Sequence, residues 1–157
     1  MAEVTIRQAT PADAEEIAAV SASAVATLRQ TYRPNQQALA KKQELAETLT
    51  RLVAVLNGRV VGSVDYRLDS GRVHFLSLEV HADYRRQGVA RQLLAELARI
   101  GRHAGATRLA TYTVTQTGNP AIFERLGFRI ISEERSELFE SDRFDALTEA
   151  YLERPIP

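Results

Sequence analysis

An α/β (α+β) fold, with a central mixed but mostly antiparallel sheet flanked by helices, is predicted by three features of this 157-residue sequence. Three apolar, strand-like segments follow one another from Leu52 to Val80 across turns at Asn57-Gly58 and Asp69-Ser70-Gly71, which reads as an antiparallel meander. A strongly amphipathic helix then opens at Gly88 and a further strand at Arg108, so the chain crosses over a helix to a parallel partner. With 45% apolar residues, the length suits one domain over residues 1–157 with a core of its own.

The elements follow in order. Val4 to Gln8 reads as a first strand, and Thr10-Pro11-Ala12-Asp13 supplies an N-cap, a proline at the first helical position and an acid in the first turn. Ile17, Ala18, Ser21, Ala24, Val25 and Leu28 give the helix that follows its apolar to small stripe, until Tyr32-Arg33-Pro34-Asn35 interrupts it. A second helix is expected over Gln36 to Leu49. The meander comprises Leu52 to Leu56, Val60 to Leu68 and Val73 to Val80. The last of these is apolar on both faces, Val73 and Phe75 on one and Leu76, Leu78 and Val80 on the other, which places it centrally. The helix from Gly88 aligns Val89, Ala90, Leu93, Leu94, Leu97 and Ala98, and stops by Gly105. Arg108 to Thr115 is a strand, Asn119 is expected to cap a short helix with Pro120 in its first turn, and Phe128 to Ser132 and Phe144 to Leu152 are the final strands.

Composition narrows the function. Basic and acidic residues balance at twenty each, which argues against a bulk electrostatic hold on nucleic acid or an anionic membrane. Cysteine is absent, so there is no disulfide framework, no thiolate metal site and no cysteine nucleophile; no metal is expected. The start, Met-Ala-Glu-Val-Thr-Ile-Arg, lacks the apolar core of a signal peptide and no segment approaches membrane-spanning length, so the expected location is cytoplasmic.

The chemistry concentrates at Arg85-Arg86-Gln87-Gly88-Val89-Ala90, between an apolar strand and the opening of a helix. A glycine there lets backbone approach a ligand, and the first helical turn offers unpaired N–H groups and about half a positive charge, so an anion is the expected visitor. The run is neither a dinucleotide fingerprint nor a P-loop. Read as Arg-x-x-Gly-x-Ala, it resembles the acetyl-CoA pyrophosphate motif of the GNAT N-acetyltransferase superfamily. A second block, Thr117 to Phe128 with its Leu126-Gly127-Phe128 ending, resembles that family's next motif in order and separation. The resemblance covers nearly the whole chain, and from it comes the topology β-α-α-β-β-β-α-β-α-β-β.

What the resemblance implies is an N-acetyltransferase that moves an acyl group from acetyl-CoA to a primary amine by direct transfer. The pyrophosphate would lie on the loop formed by Arg85, Arg86, Gln87, Gly88, Val89, Ala90 and Arg91. Leu78 and Val80 lie where members bulge and offer main chain to the pantetheine arm, the Val80 N–H being the natural oxyanion donor. Asn119, Phe123 and Arg125 stand on the helix that borders the coenzyme. Many members pair their last strands into homodimers, an assembly the resemblance allows for here.

Deprotonating the acceptor is a substantial part of the task, because a lysine-like amine of pKa ~10.4 lies roughly 4.6 kcal/mol from neutrality at pH 7, and an α-amino group near ~8 only about 1.4 kcal/mol. Glu79, a carboxylate inside an apolar strand, is the favoured base and His74 its competitor. Phe123 occupies the position where many members carry a tyrosine that protonates the departing thiolate. A thiol lies close enough to its thiolate at pH 7 for the loss of that acid to be tolerated, or for Tyr112, Tyr84 or water to replace it. The segment Glu133 to Asp145, with six acids against two arginines, corresponds to a loop bordering the acceptor, which points to a cationic amine. Two other readings stand beside this one: a non-catalytic acyl-CoA-binding module, and a nucleotide or nucleic-acid binder using Arg85, Arg86 and Arg91, which would show steep salt dependence.

Overall fold

The computed structural model describes residues 3–157. Nine strands and four α-helices are found among them: β1 (Thr5–Gln8), α1 (Ala14–Leu28), β2 (Arg33–Pro34), α2 (Gln36–Leu45), β3 (Thr50–Leu56), β4 (Arg59–Asp69), β5 (Arg72–Val80), α3 (Val89–His103), β6 (Arg108–Val114), α4 (Asn119–Arg125), β7 (Arg129–Arg135), β8 (Phe139–Glu140) and β9 (Thr148–Pro155). Seven strands form one sheet in the order β1-β3-β4-β5-β6-β9-β7, and β2 pairs with β8 apart from it. Every pairing is antiparallel except β5 with β6. The α/β class, the mixed sheet, the meander and the crossover through α3 are as the sequence predicts.

The sheet has two unlike faces. On one, α3 lays Val89, Leu93, Leu94 and Leu97 over Val61, Val64, Val73, Phe75, Leu109 and Leu152, all buried in one cluster. At roughly 25 cal/mol per Å² of apolar surface this burial is the main favourable term in the fold. On the other, Ile17 and Val20 of α1 seal only Val53 and Val60 of β3 and β4. The rest of that second face, over β5, β6 and β9, carries polar groups. No described helix is long and apolar enough to cross a membrane.

Five details depart from the sequence reading. First, α2 stops at Leu45 and a short 3-10 turn, Ala46–Thr48, carries the chain into β3. The Thr48 hydroxyl donates to the Leu45 carbonyl at 2.7 Å, a local bond that competes with continuing the helix. Second, Gly118 rather than Asn119 occupies the N-cap of α4, at φ 81°, and Asn119 is its first helical residue. Third, the last strand starts at Thr148, not Phe144, because the Ser141 hydroxyl accepts the N–H groups of Arg143 and Phe144 (3.0 and 3.2 Å) and holds them in a turn.

Fourth, Leu78 and Val80 pack into the same cluster as Val73 and Phe75, not on the opposite face. The pairing slips between Ser63↔Glu79 and Asp65↔Leu76, and Ser77 sits at φ 53°, so one extra residue in β5 reverses its alternation. The bulge falls at Ser77 and Leu78. Fifth, the short β2–β8 pair has no strand-like signature in the sequence. It is held by the Arg33 ion pairs to Glu140 (3.1 Å) and Asp142 (3.0 Å) and by the Tyr32–Phe139 ring contact at 5.0 Å.

Candidate functional site

The loop before α3 is anchored on both sides. A 3-10 turn, Ala82–Tyr84, is held by Ser23 of α1, whose hydroxyl accepts the Ala82 N–H at 3.0 Å, and by His81, whose Nδ1 accepts the Asp83 N–H at 3.2 Å. The Tyr84 ring lies edge-on to His81 at 5.9 Å. Arg86 then adopts φ 63° and Gly88 φ 80°, and α3 begins at Val89. A left-handed arginine costs about 1–2 kcal/mol, a strain that recurs where backbone is shaped for a ligand. A Cβ placed on Gly88 would meet nothing within 4 Å, so the space over the loop is open. Arg85, Arg86, Gln87 and Arg91 are exposed, Ala90 is half-buried, and Val89 is buried beneath them.

Beside this loop the sheet parts. The parallel ladder between β5 and β6 covers only Arg72 to His74 opposite Arg108 to Ala110. Beyond it β5 stays with β4 and β6 with β9, the last link being the Thr111 hydroxyl, which donates to the Phe75 carbonyl at 2.9 Å. At the far end of β5 the His81 N–H donates to the Val61 carbonyl of β4 at 2.9 Å. Strand donors alternate sides, so the Val80 N–H faces the opening. Gly62 of β4 lets α3 come close here: a Cβ on it would lie 2.9 Å from Val89 Cγ1.

Across the opening stands α4. Phe123 packs against Phe75 (6.0 Å) and Phe128 (5.4 Å) in an aromatic cluster with the core. Its ring carries no hydroxyl to give. Asn119 is half-buried and donates its N–H to the Thr117 hydroxyl at 3.1 Å, while Arg125 is exposed.

The register puts Glu79 and His74 on one face, opposite Ser63 and Arg67 of β4, and puts Tyr112 on the same face of β6, two residues past the His74↔Ala110 pair. They do not form one cluster. Glu79 is half-buried against α1, where the Ser21 hydroxyl donates to it at 3.2 Å. Burial pushes its carboxyl above the ordinary glutamate range, and the Ser21 hydrogen bond only partly offsets this. His74 lies 6.5 Å from the Tyr151 ring; burial, then the charge of Arg67, pushes its imidazole down and favours the neutral form. Tyr112 is 62% exposed and lies against the same Tyr151 at 4.8 Å. Tyr151 donates to Glu153 at 2.5 Å, and burial together with that bond raises its phenol to about 12.

Next to Glu79 lies a feature the sequence did not single out. A cleft of about 270 Å³ is lined by Lys42 and Ala46 beneath α2, Leu49, Arg51, Asp65 and Leu76. Arg51 clamps the buried Asp65 through Nε (2.6 Å) and Nη2 (3.0 Å). An aspartate in the middle of an apolar strand was the available signal; Lys42, Ser21 and Tyr151 had none, since only the packing of separate elements brings them here. The acidic segment is partly spent, two of its acids pairing with Arg33.

The family model of the acetyltransferase (GNAT) family matches residues 17–128. No protein of curated function matches the sequence. Among solved structures, the chain is similar to the ribosomal-protein-S18-alanine N-acetyltransferase of Escherichia coli, at 19% identity over 98% of this chain and 94% of that one, with a TM-score of 0.74. It is similar to the PaiA N-acetyltransferase of Thermoplasma acidophilum, solved in complex with coenzyme A, at 15% identity over 98% and 99% of the two chains, TM-score 0.72. It is also similar to a GNAT-family acetyltransferase of Staphylococcus aureus Mu50, at 16% identity over 99% and 100%, TM-score 0.72. At these identities the likeness is one of fold, and the family match spans both the loop before α3 and the helix that ends in Leu126-Gly127-Phe128. The chain belongs to the acetyltransferase (GNAT) family.

Proposed function

We propose that this protein is an acetyl-CoA-dependent N-acetyltransferase that moves the acetyl group directly onto a primary amine. The observation that carries the reading is the parting of β5 from β6 next to the left-handed turn at Arg86 and Gly88. Together they offer an elongated ligand an anion nest at one end and an unpaired strand edge along its length. Residues Arg85 to Arg91 hold the diphosphate, with main-chain N–H groups each contributing about 1.5–3 kcal/mol to a charged acceptor. Leu78 and Val80 present the main chain of β5 to the pantetheine arm, and Asn119, Phe123 and Arg125 border it from α4.

The coenzyme supplies the acetyl group as a thioester. The chain's own part is to neutralise the amine and to stabilise the developing oxyanion. Glu79 accepts the ammonium proton, directly or through one water, its raised pKa narrowing the gap to an amine at neutral pH. His74 and Tyr112 stand farther along the same face and serve in relay or in binding. The Val80 N–H meets the oxyanion. A departing thiol of pKa ~8.5 lies only about 2 kcal/mol from its thiolate at pH 7, so the missing tyrosine at Phe123 does not preclude release. The partners on this reading are the coenzyme and a cationic amine, with β7 as the edge through which a homodimer would form.

Titration calorimetry with coenzyme A, followed by thiol release across an amine panel, tests the reading. Heat and release support it. Heat without release would leave an acyl-CoA-binding module, an outcome that Phe123 makes worth testing, and no heat at all with folded protein would end the proposal.

A further inference from the structure

We propose that the cleft beside Glu79 recognises an anionic group on the acceptor, so that the substrate is a small amine bearing a carboxylate or similar anion rather than a polycation. This rests on the acetyltransferase reading and names the substrate class for that site. Four observations carry it. The cleft adjoins the proposed base: Asp65 stands two residues from Ser63, the register partner of Glu79, on the same face and so roughly 7 Å along the strand. Its walls hold two cations, Lys42 and Arg51, and one anion, Asp65, with the Glu79 carboxylate beside them.

Those charges are not equally engaged. Asp65 is buried and both of its oxygens are taken by Arg51 through Nε and Nη2. That clamp fixes the guanidinium plane and leaves the Nη1 edge as a pre-oriented fork for a planar anion. Lys42 makes no ion pair among the described residues, lines the same cleft, and its charge is felt at Glu79. Lys42 and Arg51 balance Asp65 and Glu79 in charge, so a zwitterion enters without leaving a net charge: its anion meets Lys42 and the free edge of Arg51 while the ammonium of the same molecule faces Glu79. The size agrees: about 270 Å³ falls just below the ~300–1,000 Å³ of sites for drug-sized ligands, room for an amino-acid-sized molecule. Two acids of the segment that would favour a polycation, Glu140 and Asp142, are meanwhile paired with Arg33.

The test is acetyl transfer to leucine, methionine and glutamate, to their primary amides, and to the decarboxylated amines, with wild type, Lys42→Ala and Lys42→Arg. The amino acids are expected to exceed their amides at least tenfold in kcat/KM. That ratio should fall toward one in Lys42→Ala, through KM, and recover in Lys42→Arg. Equal use of acids and amides by the wild type, or an unchanged ratio in Lys42→Ala, would overturn the proposal. If coenzyme A binds but no acceptor turns over, the catalytic reading fails and the cleft is judged separately. The N-acetyl amino acids must then bind at least tenfold more tightly than their amides by calorimetry, with the same dependence on Lys42, or the proposal falls.

Discussion

Glu79 shows how one residue acquires a role from its surroundings. In sequence it is an acid within an apolar run; in the fold it is half-buried on the α1 side because the bulge at Ser77 turns it away from the core. Its raised pKa makes it a base only above that value, so kcat/KM should decline as pH falls through a point above the ~4.3 of an ordinary glutamate. Glu79→Gln is expected to lower kcat by about 10²–10⁴ and to remove that limb of the pH profile, with coenzyme affinity retained. Gly88→Val should weaken coenzyme A binding by about tenfold or more, the equivalent of one charge-assisted hydrogen bond. Gly58, at φ 78° in a distant turn with equally open space, is the control: Gly58→Val carries the same strain and should leave the affinity alone.

Among elements, two contacts set where the loop and α1 lie. Gly62 admits the first turn of α3, and a larger side chain would press on Val89 and Leu93. Gly62→Val should cost about 1–3 kcal/mol in stability by overpacking, read from chemical denaturation, and should weaken coenzyme binding as α3 shifts. The entry to α1 is held by Arg7, which grips Asp13 through Nη1 and Nη2 at 2.7 and 2.9 Å. That hydrogen-bonded pairing holds the Asp13 carboxyl far below the usual carboxylate range. Because the folded-state pKa is lowered, the stabilisation is complete above the unfolded value of ~3.9 and is lost as pH falls below it. Asp13→Asn should therefore melt lower than wild type at pH 7, and the gap in Tm should close under acid conditions.

For the molecule as a whole, the β2–β8 pair joins the α1–α2 connection to the segment between β7 and β9, which on the proposed reading borders the acceptor. Tyr32→Ala, which removes the ring contact with Phe139, should raise the acceptor KM several-fold and leave the coenzyme Kd unchanged, as measured by initial rates and calorimetry. Such a result would separate acceptor closure from coenzyme binding.

How much of this was legible follows from the range of each interaction. The meander, the amphipathic α3 and the glycine loop rest on periodicity and turn chemistry within about fifteen residues, and the strand–loop–helix order alone pointed to an anion beside Gly88. Local pattern failed where a distant partner decides: the bulge at Ser77 depends on the slip against β4, and β2 and β8 exist only as each other's partner. The amino-acid sequence by itself therefore determined the family, the fold class and the strand–loop–helix run at Gly88 that we propose as the coenzyme loop. The tertiary structure decided which face Glu79 occupies and which residues line the cleft beside it. Lys42, Arg51, Asp65 and Glu79 come from four separate elements, and no short-range signal encodes a charge balance that exists only after they pack together.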